Sequence, residues 1–381
     1  MSIQKSVKKI VCLASAAMMA VSLTACSSTT AETAAPAGTT TADSAAQTTA
    51  AQTTAAQTTA APTTAAPAAK GSDKIVMVWY PNESASDYAP AREEFGRLIS
   101  EATGKEVEQK LTTDYSIAIE SVANGTAQIC FMGAQGYVEA KAKNDKVEPL
   151  FVNSGASGTL DDAIYYSWLC VNKDDAPNYS SLDDIQGKRI SFVSNSSTSG
   201  FKVPTNSIIE YFGKQDKWKD LTVDDLIEGS DDGFFTEVLF GGSHQGSAVN
   251  LLTGKADVAA FCDTELAPYA TLASGDENRD GAVYAIKDGA SAPFDTMVGR
   301  EFTIVKSTPV LNGPFAYNSE TLSADDAKKI QDLMTSEEVT NNPQIFVNKD
   351  SGLVGMFKKT GKEQIVLVED SWYDPIRELS K

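Results

Sequence analysis

The residues best suited to chemistry form one run, Ser194-Asn195-Ser196-Ser197-Thr198-Ser199-Gly200-Phe201-Lys202-Val203-Pro204. It lies between an apolar run from Lys188 to Val193, which reads as a strand, and an amphipathic run reaching Tyr211-Phe212-Gly213. A hydroxyl-rich turn at a helix start gathers side-chain O–H groups beside the first backbone N–H groups of the helix, where the chain carries partial positive charge. Such a turn can hold an oxyanion without Lys or Arg. Ser and Thr are also ordinary helix caps, so residue type alone leaves a plain cap as the competing reading.

Possible partners lie further on. His244, the only histidine in the chain, opens the helical run Ser243 to Leu252. Asp263 follows the strand-like run Ala256 to Phe261, and Glu265 competes with it for any acidic role. Ser199, His244 and Asp263 together suggest a Ser/His hydrolase. The strained Gly-x-Ser-x-Gly turn of a nucleophile elbow surrounds neither Ser197 nor Ser199, however, and many hydroxyls with one His is also what anion binding alone requires.

The elements that must position these residues begin near Lys74. Lys74 to Tyr80 reads as a buried strand, Ala89 to Thr103 as a helix stopped by Gly104, Glu106 to Leu111 as a strand and Tyr115 to Ala123 as a helix stopped near Gly125. Ala127 to Met132 follows as a strand entering Gly133 to Tyr137; Tyr137 reads as a core residue and Gly136 as the better cleft backbone. Strands also fit Pro149 to Val152, Tyr165 to Val171, Ala282 to Ile286 and Phe302 to Lys306, with a returning segment from Pro309 to Tyr317. Ala324 to Met334 reads as a helix and Asn348 to Lys381 as a largely helical cap. Gly125-Thr-Ala-Gln-Ile-Cys-Phe131 and Gly254-Lys-Ala-Asp-Val-Ala-Ala-Phe261 repeat one plan, which predicts two α/β lobes, each a largely parallel sheet flanked by helices, with a ligand cleft between them. Lobe 1 is expected over 73–171 plus 312–381 and lobe 2 over 172–311, joined near Val171-Asn172-Lys173 and Thr308 to Pro314.

The chain has 381 residues, long enough for two or three domains, and a net charge of −19. Lys5, Lys8 and Lys9 precede an apolar run from Ile10 to Leu23, the order of an export signal, and Leu23-Thr-Ala-Cys26 closes it. That run is shorter than the ~20 residues of a spanning helix. Cleavage of residues 1–25, with three Lys and no acid, would carry the charge to −22. Such acidity excludes nucleic acid and polybasic docking on anionic lipid. Residues 26–72, rich in Ala, Thr, Gln and Pro, read as a disordered tether with an rms span of about 35 Å. Cys130, Cys170 and Cys262 each lie in an apolar run and read as buried free thiols; no metal spacing and no cofactor motif is present.

Leu23-Thr-Ala-Cys26 resembles the lipobox of bacterial lipoproteins, which implies acylation of Cys26 and a membrane anchor on the extracytoplasmic face of a Gram-positive cell. Ser197-Thr-Ser-Gly-Phe-Lys-Val-Pro204, with Asp114-Tyr115, Gly136-Tyr-Val-Glu-Ala140, Tyr165 ahead of Val-Asn-Lys173, His244 and Asp263, resembles the PhnD-like phosphonate, phosphite and phosphate substrate-binding proteins of ABC transporters, which have the two-lobed type II periplasmic-binding-protein fold. The resemblance implies a monomeric binder without catalysis that hands its solute to a membrane permease. It further implies that Ser197, Thr198 and Ser199 hold phosphoryl oxygens, that Tyr115 and Tyr165 contribute from the other lobe, that His244 donates, and that Asp263 accepts from a P–OH or a substituent. Family members that bind aminoalkylphosphonates place an acid before a Pro in the returning segment. Here Leu311-Asn-Gly-Pro314 has none, which favours a small ligand such as phosphate, phosphite or a simple alkylphosphonate. The alternatives are a two-lobed binder of a sulfonate or thiamine precursor, a Ser/His hydrolase, and a surface adhesin.

Overall fold

The run Lys74–Trp79 is apolar at nearly every position because both faces of the strand it forms are covered. Ile75, Met77 and Trp79 pack into one hydrophobic cluster and Val76, Val78 and the following Tyr80 into another. This strand, β1, opens a computed structural model that describes residues 73–348 apart from Ala85, with Ser351 and residues 355–379, all within the compact unit Thr63–Lys381. The expected leader, Cys26 and the whole of the expected tether lie outside the described residues.

The chain continues through α1 (Ala89–Thr103), β2 (Glu106–Leu111), α2 (Tyr115–Ala123), β3 (Ile129–Phe131), α3 (Ala134–Lys143) and β4 (Val147–Asn153). β5 (Ile164–Asn172), β6 (Arg189–Phe192), α4 (Val203–Phe212), α5 (Val223–Ile227), β7 (Glu237–Phe240), α6 (His244–Leu252), β8 (Val258–Cys262), α7 (Asp263–Leu266), β9 (Ala270–Ser274), β10 (Val283–Ile286) and β11 (Glu301–Leu311) follow. Next come β12 (Phe315–Asn318), α8 (Ala324–Met334), α9 (Glu337–Thr340), β13 (Phe346–Asn348), β14 (Phe357–Lys359), β15 (Ile365–Val366) and α10 (Asp374–Glu378). Strand order is β15-β4-β12-β3-β1-β2 in the first sheet and β7-β6-β8-β5-β11-β10-β9 in the second. The central strands of each sheet are covered on both faces. Trp79 meets Phe95, Phe131 and Phe315 edge-on in the first, and Trp168 packs with Phe261, Tyr284 and Phe302 in the second.

Within these two sheets the parallel pairs are β1–β2, β1–β3, β6–β7 and β6–β8, while the strands that leave and return pair antiparallel, so each is mixed rather than largely parallel; β13 and β14 form a separate parallel pair. The chain crosses between sheets at 154–163 and 312–314, not near Val171. An apolar run carries no mark of which sheet it will join, and β5 pairs with β11 from Ile164 opposite Leu311 to Asn172 opposite Phe302. Phe302 to Lys306 and Pro309 to Leu311 form one strand. Pro309 is tolerated because it stands opposite Tyr166, which turns its own N–H away to Asp263, and because β10 pairs β11 only over Glu301–Thr303. The terminal cap is mostly not helical: β14 and β15 precede a single turn at Asp370–Tyr373 and the short α10. Tyr137 anchors that end, donating to Asp370 and packing on Tyr373, whose hydroxyl reaches the carbonyl of Asn312 at 3.4 Å.

Candidate functional site

Parallel strands deliver every connection that follows them to one edge of a sheet, and in open α/β sheets that edge is where ligands bind. In the first sheet the carboxyl ends of β1, β2 and β3 lead to Asn82, Tyr115 and Gln135; in the second, β6, β7 and β8 lead to Ser197–Ser199, His244 and Asp263. The two edges meet. The Gln135 N–H donates to Thr198 Oγ1 at 2.9 Å, Ser196 Oγ donates to Glu139 at 2.7 Å, and the His244 N–H donates to Asn82 Oδ1 at 3.1 Å.

The hydroxyl turn is a single π-helical turn, Thr198–Lys202, continuing into α4 with Pro204 in the first turn, where a missing N–H does no harm. Ser197 caps it: its Oγ accepts from the Gly200 N–H at 3.1 Å, and its carbonyl accepts from Lys202 at 3.0 Å. The turn folds back on β6, with the Val193 N–H donating to the Gly200 carbonyl at 3.1 Å, so closely that a Cβ on Gly200 would stand 2.2 Å from Val193 Cγ2. Ser199 is held from β5, its carbonyl accepting from Ser167 Oγ at 2.6 Å. Ser197, Thr198 and Ser199 are all buried.

Tyr165 and Asp263 border this turn. The Tyr165 phenol is pushed well above its ordinary pKa by burial and lies against the Ser199 and Thr198 hydroxyls. Asp263 Oδ1 accepts from the Tyr166 N–H at 2.9 Å, and Glu265 accepts from Gln245 Nε2 at 3.2 Å. Both acids retain some accessible surface, yet their carboxyls are crowded by protein atoms, and this desolvation raises Asp263 to about 6 and Glu265 to about 7. His244 is desolvated too, which lowers its imidazole to about 3 and keeps it neutral. Its Nδ1 is buried without a hydrogen-bond partner, and Asp263 is committed to Tyr166, so no Ser-His-Asp relay is assembled.

The raised acids fix a pH dependence. Stability from their protonated forms is full below about pH 4 and is lost as pH rises through about 6 and 7, while His244 contributes stability above 6.5 that is lost toward 3. Two carboxyls outweigh one imidazole between pH 5 and 7. Ligand-free protein is therefore expected to melt higher at pH 5.5 than at 7.5, and Glu265→Gln to shrink that difference by raising the pH 7.5 value; an unchanged difference in thermal melts refutes the assignment.

Tyr115 is buried at the start of α2, its ring tilted 36° against that of Tyr80 with centroids 4.1 Å apart, and its hydroxyl accepts from Asn82 Nδ2 at 2.6 Å. Gly136 lies beneath Tyr80: a Cβ there would fall 1.8 Å from the Tyr80 hydroxyl, so only glycine fits. Thus Tyr115, Ser197, Thr198, Ser199 and His244 come to the meeting edges, with Tyr165 and Asp263 beside the turn and Glu265 against Gln245 of α6; Tyr165, expected from the opposite lobe, stands on β5 in the turn's own sheet, because β5 pairs with β8 and β11 rather than with the first sheet. Asn82, Gln135 and Gln245 were not read from the sequence as site residues, and Glu139 entered only within the string Gly136-Tyr-Val-Glu-Ala140. Asn82 lies in the turn Pro81–Ser84 just beyond β1, and its place after a strand is the one signal that marked it. A depression of about 290 Å³ lined by Asn82, Gln245, Tyr269 and Pro293 opens beside these residues; a larger one of about 540 Å³, lined by Ser157, Thr335, Lys359 and Lys362, involves none of them. Cys130, Cys170 and Cys262 are buried free thiols, and among the described residues no cluster of His, Cys, Asp and Glu could hold a metal.

Residues 77–373 match the family model of the periplasmic phosphonate substrate-binding protein of ABC transporters. A phosphate-import protein PhnD of Mycolicibacterium smegmatis is 26% identical over 216 residues, 52% of this chain and 61% of that relative's length. A binding-protein component of a phosphonate ABC transporter from Pseudomonas aeruginosa superposes with a TM-score of 0.57 at 20% identity, covering 81% of this chain and 85% of the other. PhnD1 of Prochlorococcus marinus in complex with methylphosphonate gives 0.57 at 16% identity over 81% and 97%. These structural likenesses establish the two-sheet α/β fold.

Proposed function

Since this chain belongs to the periplasmic substrate-binding proteins of phosphonate ABC transporters, we propose that it binds a small phosphorus oxyanion between its two sheets, without chemistry, and presents it to a membrane permease. The observation that carries the reading is the buried hydroxyl turn Ser197–Ser199, set at the carboxyl ends of one parallel strand set and bonded to the edge of the other. Ser197, Thr198 and Ser199 hold the phosphoryl oxygens through hydroxyls and the first N–H groups of their turn. Tyr115 and Tyr165 donate from the flanks, and neutral His244 shares the α6 start. Gly136 offers backbone only. Asp263, or Glu265 beyond it, accepts from a P–OH or a substituent, which discriminates against a sulfonate that has no such donor. The two lobes, joined by the segments 154–163 and 312–314 that run between the sheets, close on the solute.

A solute that binds only the folded state stabilises it by about 2.7 kcal/mol at a hundredfold excess over Kd. Melts with phosphate, phosphite, methylphosphonate and 2-aminoethylphosphonate are expected to rise with at least one of the first three. Silence toward all four at millimolar concentration, or an equal response to methanesulfonate, overturns the reading. The leader and Leu23-Thr-Ala-Cys26 support a lipid anchor on Cys26 at the extracytoplasmic face of a Gram-positive cell and a monomeric binder at the end of the tether. Cys26→Ser is expected to leave the membrane fraction; retention there would refute acylation at that residue.

A further inference from the structure

The depression beside the start of α6 takes its walls from both sheets. Asn82 comes from the first, while Gln245, Gly246, Val249, Tyr269 and Pro293 come from the second and its loops, and no charged side chain lines it. Its volume of about 290 Å³ leaves room for several groups the size of a water, each taking ~30 Å³. Ser291 Oγ donates to Asp87 and so ties the loop that carries Pro293 to the turn before α1. Gln245 is 6% exposed, and its partners fix which end of its amide is which. Nε2 donates to the Asn82 carbonyl at 3.3 Å and to Glu265 at 3.2 Å. A carbonyl oxygen can only accept, so that end must be the NH₂ and the other end the oxygen. That oxygen, Oε1, is buried without a hydrogen-bond partner. The Tyr269 hydroxyl is enclosed in the same way: it lies near Gln245 and Ser291 yet bonds neither.

Closure makes this arrangement costly. With the sheets apart, Asn82 is withdrawn and water reaches the Gln245 amide; with them together, Oε1 loses that water and no protein donor replaces it. A buried acceptor left unpaired disfavours the closed form, so the donor must arrive with the solute. Its character follows from the lining. An ammonium would bring three N–H groups and a charge into a space lined by no carboxylate, with Asp263 held by Tyr166 and Glu265 by Gln245. A bare alkyl group would leave Oε1 unpaired. A hydroxyl serves both polar atoms, donating to Gln245 and accepting from Tyr269, while Val249 and Pro293 cover the carbons that carry it. We propose that the depression is the subsite for the organic substituent of the bound phosphorus oxyanion, and that it selects a short, neutral substituent ending in a hydroxyl. The proposal rests on the reading of the site given above.

Calorimetry on the full chain tests it, with ethylphosphonate, 2-hydroxyethylphosphonate, 2-aminoethylphosphonate and phosphate as probes. The hydroxyethyl compound is expected to bind about tenfold or more tighter than the ethyl compound, which has the same carbons and no donor, and tighter than the aminoethyl compound. Gln245→Met keeps the bulk and removes the acceptor. It also removes the bond to the Asn82 carbonyl, but that loss falls on both phosphonates alike, so the readout is the ratio of their affinities. That ratio is expected to shrink to within about threefold. If Gln245→Met loses its cooperative melt, Tyr269→Phe replaces it, and the ratio is again expected to fall. Equal affinities for the ethyl and hydroxyethyl compounds in the wild type, or a ratio that the variant leaves unchanged, overturn the proposal while leaving the function intact. Tighter binding of the aminoethyl than of the hydroxyethyl compound overturns it too. A wild-type chain that binds none of the four, phosphate included, removes the reading of the site and this proposal together.

Discussion

Gly200→Ala is expected to destabilise the protein by about 2–4 kcal/mol and to remove most of its affinity for a phosphorus oxyanion. The added methyl would stand 2.2 Å from Val193 Cγ2 and 2.4 Å from Val193 Cβ, against a side chain with no exposed surface and no room to turn. The turn must then lift from β6, breaking the bond from the Val193 N–H to the Gly200 carbonyl and the cap from the Gly200 N–H to Ser197. Both losses fall on the segment that would present the hydroxyls, so stability and binding should decline together. Thermal melts should fall by about 5–10 °C, and calorimetry should show at least a tenfold weaker complex. A variant that melts and binds like the wild type would show that the turn tolerates being moved.

Thr198→Val separates recognition from folding more cleanly. Valine keeps the shape but neither accepts from the Gln135 N–H nor donates to an anion, so with the sheets together a buried N–H is left unpaired. An unpaired buried donor costs about 1–3 kcal/mol and a lost bond to a charged oxygen about 1.5–3. Affinity is expected to fall about 100-fold or more, whereas Thr198→Ser, which restores the hydroxyl, stays within about threefold. Equal affinities for the Val and Ser variants would reduce Thr198 to a cap.

What could be read from the sequence follows from where the decisive information lies. Ala89–Thr103 and Ala324–Met334 were legible residue for residue, because helical periodicity and end signals are local. The family resemblance was carried by Ser197 to Pro204, and the family match bears it out. The antiparallel pairing of β5 with β11 was not legible, since it joins residues more than a hundred positions apart and both strands look like any buried strand. The terminal region was misread as helical. Its strands are only two or three residues long, too short for any period to register. Asn82 escaped for a different reason. An asparagine after a strand is an ordinary loop residue until its partners, His244 and Gln245, are brought to it from the other sheet.

The last rung of the β5–β11 ladder sets Ile164 opposite Leu311, and the Asn312 N–H bonds the Ala163 carbonyl at 3.0 Å just beyond it. The whole stretch from 164 to 311 thus departs from the first sheet and rejoins it at neighbouring points. In genetic terms that makes it a cassette, since a segment whose ends lie side by side can be exchanged without rethreading the remainder. Grafting 164–311 from one relative onto the first sheet of another would transplant the hydroxyl turn, Tyr165, His244 and the acidic pair in one piece. Asn82, Tyr115 and Gln135 would stay behind. Chimeras cut at those two points therefore offer a way to inherit the two halves of solute preference separately.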